Sequence, residues 1–220
     1  MKILQDSKEE IRNLGANFHL KVIERKPSLP KSVILLLHGL DERGLRIYRK
    51  LLKYLPQDAY ILAPNAPFPL PREKDDRLDF GYTWYFYDRF TKSYQIDQTF
   101  SLGLLKNLLH VCNPTQLPVT IIGFSQGGYL APLLGYEDKN TKLVVGLGCE
   151  FRSHFFHTIP AFDLAAIHGS LDTIIPSEMA YRELNLLKEK GIHVSWHLIP
   201  ETKHEISPLM GEELKHIMES

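Results

Sequence analysis

From residue 33 onward, short apolar runs alternate with longer stretches whose apolar positions recur every three or four residues. That is the pattern of strands joined by crossover helices, and it predicts an α/β fold with a mostly parallel central sheet and helices on both faces. Residues 33–37 are apolar at every position, as a strand covered on both sides requires. Residues 17–25 instead alternate Phe18, Leu20 and Val22 with His19, Lys21 and Ile23, which predicts a half-exposed opening strand. Further strands are expected at 59–63, 119–124, 143–147, 164–167 and 193–199. Leu45, Tyr48, Leu51, Leu52 and Leu55 lie at helical spacing until Pro56 stops the segment. Phe100, Leu104, Leu105, Leu108 and Val111 mark a longer helix, capped by Ser93 or Asp97 and ended by Asn113 and Pro114. Helices at 130–134, 176–190 (closed by Gly191) and 209–218 complete the series.

One stretch breaks the alternation. Pro64, Pro67, Pro69 and Pro71 exclude regular structure from residues 64–71, and the charged residues 72–79 extend the irregular segment into a long loop. The insertion 68–80 is expected to be solvated rather than folded over a pocket as a flap, and to be an excursion within one domain spanning 1–220.

The 220 residues carry 26 Lys plus Arg against 26 Asp plus Glu, a formal charge of zero. With no basic surplus to neutralise phosphates, nucleic acid is excluded as an expected partner. The 44% of hydrophobic residues suffices for a core. The longest aliphatic run, 33–37, falls far short of the roughly 20 residues of a membrane-spanning helix. Ile3 and Leu4 run straight into polar residues, too short a stretch for a secretory signal, so the expected compartment is the cytoplasm. Cys112 and Cys149 are expected to be free thiols.

Residues 123–127 read Gly-Phe-Ser-Gln-Gly, which fits G-x-S-x-G between an apolar strand and an apolar helix. A serine presented on that turn needs strained dihedrals, and glycines two residues either side remove the Cβ atoms that would collide where strand and helix approach. Serine is a weak nucleophile at neutral pH. It needs a histidine base and a carboxylate that fixes the tautomer, both downstream of it in this architecture. Asp163 precedes its strand and would fall at the wrong end. Asp172 follows that strand, at the carboxyl end where sites of open parallel sheets collect. His193 and His197 belong to one face of a strand, whereas His204 lies in the loop after it. The expected set is therefore Ser125, Asp172 and His204. The oxyanion donors are expected to be the backbone N–H groups of Gln126, next to the serine, and of Leu40, beside Gly39. His38 precedes the serine and is expected to orient that loop.

Together, residues 37–41 (Leu-His-Gly-Leu-Asp), 63–67 (Ala-Pro-Asn-Ala-Pro), Trp84-Tyr85, 123–128, 168–172 (His-Gly-Ser-Leu-Asp) and 204–206 (His-Glu-Ile) resemble the phospholipase/carboxylesterase family of α/β-hydrolases, which includes acyl-protein thioesterases. The resemblance implies a compact hydrolase without a separate lid domain, acting on a small-molecule ester or acyl substrate. A monomer or homodimer is expected. The resemblance implies no metal or organic cofactor, and a triad of Ser125, Asp172 and His204 with Leu40 and Gln126 at the oxyanion hole. It also places Trp84 beside the substrate, and His38 is expected there as well. Short-chain carboxylesterase is the first expectation; lysophospholipase or acyl-protein thioesterase is the alternative, and a non-catalytic binding protein on the same fold is the rival from another class. Lys203 stands where the family usually has glycine, putting a cation beside the base. Of the aromatics Phe80, Tyr82, Trp84, Tyr85, Phe86, Tyr87 and Phe90, only Trp84 is expected at the site. Cys149, Glu150, His154 and His157 match no common zinc spacing and are not expected to bind metal.

Overall fold

A computed structural model describes residues 19–74, 76–88 and 90–219. Ile3 and Leu4, and Asn17 and Phe18 of the expected opening strand, lie outside the described residues. In chain order the elements are β1 (Val22–Arg25), β2 (Ser32–Leu37), α1 (Gly44–Leu51) with a 3-10 turn at Leu52–Tyr54, β3 (Ala59–Pro64), β4 (Phe68–Lys74), β5 (Arg77–Thr83), β6 (Phe86–Asp88) and β7 (Ser93–Ile96). There follow α2 (Thr99–Cys112), β8 (Val119–Phe124), α3 (Gln126–Glu137), β9 (Thr141–Leu147), β10 (Asp163–Gly169), α4 (Ser177–Glu189), β11 (Val194–Ile199) and α5 (Pro208–Glu219).

Seven strands form the central sheet in the order β1-β3-β2-β8-β9-β10-β11. Every pairing is parallel except that of β1 with β3. The uniform apolarity of β2 follows from its central position. Val33, Leu35 and Leu37 enter a core under α2, α3 and α4, while Ile34 and Leu36 enter a second core under α1 and α5. Each such side chain, removed from water, contributes about 1.5–3 kcal/mol. Because the strands are parallel, their carboxyl ends share one edge, and the loops that leave them converge there. No helix among the described residues is long and apolar enough to cross a membrane.

Contrary to what its prolines predict, the insertion is not an irregular loop. Residues 68–80 fall mostly in the antiparallel hairpin β4–β5, with Pro69 opposite Tyr82 and Pro71 opposite Phe80. Proline is excluded from a strand only where its missing N–H would face a partner. Tyr82 spends both backbone groups on its other side, accepting from Asp41 N–H (2.9 Å) and donating to Glu42 C=O (3.0 Å). Pro69 therefore sits at a position where the ladder asks for no bond. A second short hairpin, β6–β7, was not expected either; it takes up Ser93, and the first turn of α2 is met by Asp97, whose Oδ1 accepts from Thr99 N–H (3.0 Å).

Candidate active site

Ser125 joins β8 to α3 with φ 50° and ψ −116°, a left-handed conformation that costs a non-glycine residue about 1–3 kcal/mol. Neighbouring backbone holds it there. Ser125 N–H donates to Leu147 C=O of β9 (2.9 Å), and its own carbonyl accepts from Gly128 N–H (2.9 Å) and Tyr129 N–H (3.2 Å), which starts the helix. The flanking glycines are required by contact: a Cβ on Gly123 would lie 2.3 Å from Gly127 C=O, and one on Gly127 2.3 Å from Leu37 C=O.

Asp172 follows β10 and is buried. Its Oδ1 accepts from Ile174 N–H (2.9 Å) and Ile175 N–H (2.8 Å), which fixes the carboxylate and turns Oδ2 toward His204 Nδ1 at 2.7 Å. His204, between β11 and α5, places Nε2 3.0 Å from Ser125 Oγ. A carboxylate can only accept, so Nδ1 carries the proton and the Nε2 lone pair faces the serine hydroxyl. His168 Nε2–H donates to Ile175 C=O (2.7 Å) and lies 3.5 Å from Asp172 Oδ2, bracing the same loop. Lys203 needs no glycine: the left-handed residue of this turn is Glu201 (φ 49°), two positions earlier. Of the residues set aside, Asp163 begins β10 at the opposite edge of the sheet, His193 is exposed before β11, and His197 pairs with Glu213 of α5 (2.6 Å).

The backbone N–H groups of Leu40 and Gln126 have no hydrogen-bond partner among the described residues, and both residues line the cavity that holds Ser125 and His204. Beneath them, His38 is fully buried. Its Nδ1–H donates to Gly39 C=O (2.7 Å) and its Nε2 accepts from Ala66 N–H (2.9 Å). Burial pulls its pKa down to about 4, against the opposing effect of the Gly39 bond. The imidazole is therefore a neutral strut under the Leu40 loop. Trp84 Nε1–H donates to His38 C=O (2.8 Å), and the Gln126 side chain accepts from Trp84 N–H (3.0 Å) and donates to Tyr85 C=O (3.0 Å). Trp84 and His38 are adjacent to the site yet do not line the cavity; they hold the two donor loops together from below.

The cavity encloses about 720 Å³. Its walls include residues that the sequence analysis did not single out for the site: Tyr85, Tyr87, Tyr94 and Tyr129, the pair Glu150 and Arg152, and the apolar Ile174, Ile175 and Met179. Tyr129 could have been found from spacing, since it follows Gln126 by one helical turn and shares its face. The hairpin β4–β5 does not line this cavity. It is pinned to the loop after Leu40 instead, by Arg72 Nε–H to Asp41 Oδ1 (2.8 Å) and Arg43 Nε–H to Phe80 C=O (2.6 Å). Cys149 is buried against Gly128, and burial pushes its thiol pKa up. Cys112 and Cys149 are both free.

The chain matches the phospholipase/carboxylesterase family model over residues 19–220. Among curated proteins there is no match. Solved structures similar to it include esterase PE8 (21% identity over 91% of this chain and 98% of that one, TM-score 0.71) and Zea mays acyl-protein thioesterase 2 (20% identity over 92% and 98%, TM-score 0.70). A carboxylesterase from Mesorhizobium loti is similar at 16% identity over 89% and 90%, with TM-score 0.67. At these identities the likeness is one of fold.

Proposed function

The chain belongs to the phospholipase/carboxylesterase family, and from that premise we propose that it is a serine carboxylesterase working through an acyl-enzyme on Ser125. The observation that carries the proposal is the hydrogen-bonded series Ser125 Oγ, His204, Asp172, with steps of 3.0 and 2.7 Å, beside a cavity also lined by Leu40 and Gln126, whose N–H groups are unpaired among the described residues.

His204 takes the Ser125 proton at Nε2 as Oγ attacks the ester carbonyl. Asp172 holds the imidazole in the tautomer that can accept this proton and stabilises the imidazolium that results. The carbonyl oxygen gains negative charge and meets the N–H groups of Leu40 and Gln126; one such donor is worth about 2.7–4 kcal/mol of transition-state stabilisation. Protonated His204 then hands its proton to the departing alcohol. Water enters, gives its proton to the same nitrogen and cleaves the acyl-enzyme. The backbone of Ser125 fixes the direction of its Cα–Cβ bond and the hydrogen bond to His204 fixes Oγ, so little ordering remains to be done when substrate arrives.

We take the acyl group to be short, because the polar wall of Glu150 and Arg152 would have to be desolvated by a long alkyl chain. Steady-state rates on p-nitrophenyl esters from two to sixteen acyl carbons test this. kcat/KM is expected to peak at the short end; a steady rise toward sixteen carbons contradicts the assignment and favours lysophospholipase or acyl-protein thioesterase activity.

A further inference from the structure

We infer that the ester cleaved at Ser125 carries an anionic group, a carboxylate within short reach of the scissile bond, and that Arg152 receives it. The inference rests on the proposed esterase chemistry for its context, but its evidence is separate. Arg152 lies in the segment leaving β9 at the carboxyl edge of the sheet, and it lines the same cavity as Ser125 and His204. Its side chain is 30% exposed. A guanidinium offers five N–H donors and stays charged at any working pH. Yet the Arg152 side chain makes no hydrogen bond among the described residues: its one ion-pair partner there, Glu150, stands 3.7 Å from Nε, outside hydrogen-bond range. Its donors are thus left to water, which a bound anion would replace with charge-assisted hydrogen bonds.

The group is also fixed in place. Its carbon lies 4.6 Å from the Tyr129 ring centroid and 5.9 Å from that of Tyr87, so two faces hold the guanidinium without consuming its donors. Glu150 sits toward the Nε edge and leaves the terminal pair of NH2 groups, the edge that matches a carboxylate in bidentate fashion. Glu150 is a like charge to any anion, so an anion gains only where the guanidinium is nearer to it than Glu150 is, at that terminal edge. Tyr85 and Tyr129 add phenol donors; burial raises both above the ordinary phenol range, so each keeps its proton at neutral pH. Neither hydroxyl is hydrogen-bonded among the described residues. An apolar acyl group would displace water from these donors without replacing its hydrogen bonds, whereas one carboxylate can meet the fork and a phenol together.

The test uses the monomethyl esters of succinic, glutaric and adipic acid against their neutral dimethyl esters, because the chain length that spans Ser125 to Arg152 is set by the cavity. For the best-fitting acid, wild-type kcat/KM is expected to favour the half-ester at least tenfold. Arg152→Gln should bring that ratio close to one, and Arg152→Lys should retain part of it. A wild type that shows no half-ester preference, or an Arg152→Gln protein that keeps one, overturns the inference. Binding of the free diacids, followed by saturation-transfer NMR on wild type and Arg152→Gln, needs no turnover. Diacid binding that the substitution abolishes supports the anion site even if no ester is cleaved, in which case the esterase proposal alone falls. A wild type that binds none of the three diacids overturns the inference, whether or not it hydrolyses p-nitrophenyl acetate.

Discussion

Acidification should weaken this fold through one buried imidazole, His38. Its pKa falls from 6.5 in an open chain to about 4 in the folded protein, because burial disfavours the charged ring. Above pH 6.5 the residue is neutral in both states and contributes nothing to the pH dependence. Between pH 6.5 and 4 the unfolded chain binds a proton that the folded chain refuses, so stability is lost as pH falls. At about 1.36 kcal/mol per unit, 1.5 units of descent to pH 5 cost about 2 kcal/mol, and the full 2.5-unit window costs about 3.4 kcal/mol. Carboxylates elsewhere add their own pH dependence, so the comparison must be internal. His38→Gln offers an amide that can donate to Gly39 and accept from Ala66 without titrating. Urea unfolding of both proteins at pH 7.5 and 5.0 supplies the numbers. Wild type should lose about 2 kcal/mol more than His38→Gln over that interval. Equal losses in the two proteins would show that His38 is not held neutral by its burial, and the account of it as a strut under the Leu40 loop would fail with it.

The other expectations can be put briefly. Asp172→Asn keeps the acceptor for Ile174 and Ile175 but turns an amide donor toward His204, forcing the wrong tautomer; kcat on a short ester should fall about 10⁴-fold with unfolding unchanged, and a drop of less than tenfold refutes the assigned role. Gly127→Ala drives a Cβ to 2.3 Å from Leu37 C=O and should displace Ser125 enough to cost about 100-fold in kcat/KM or more. Gly103→Ala, in α2 with nothing within 4 Å of the new Cβ, should instead raise stability by about 1 kcal/mol and leave activity alone, as thermal melts and rates on the same preparation will show.

The elements that build the sheet were legible because each is governed by local pattern. An all-apolar run such as 33–37, too short and too β-rich for a buried helix, fits a strand covered on both faces, and its residues do divide between two cores. Ser125, Asp172 and His204 could be brought to one edge on paper for a related reason: in a parallel sheet, the residue after a strand has only one edge to occupy, and the three meet there. What the pattern could not supply were contacts made across the chain. Pro69 and Pro71 argued against a strand because nothing local says that Tyr82 bonds outward to Asp41 and Glu42. Trp84 and His38 looked like substrate contacts, whereas their hydrogen bonds to one another and to Ala66 and Gln126 put them underneath the site. Arg152, Tyr87 and Tyr129 stand outside every motif the sequence offered; they are gathered by the return of separate segments to the same cavity.

The central claim is that Ser125 is an activated nucleophile facing an oxyanion hole, and labelling by a fluorophosphonate tests it most directly, since the adduct forms only where both conditions hold. Intact-mass spectrometry is expected to find a single adduct on the wild type and none on Ser125→Ala. A folded wild type that takes no adduct, or an alanine variant that takes one, contradicts the account.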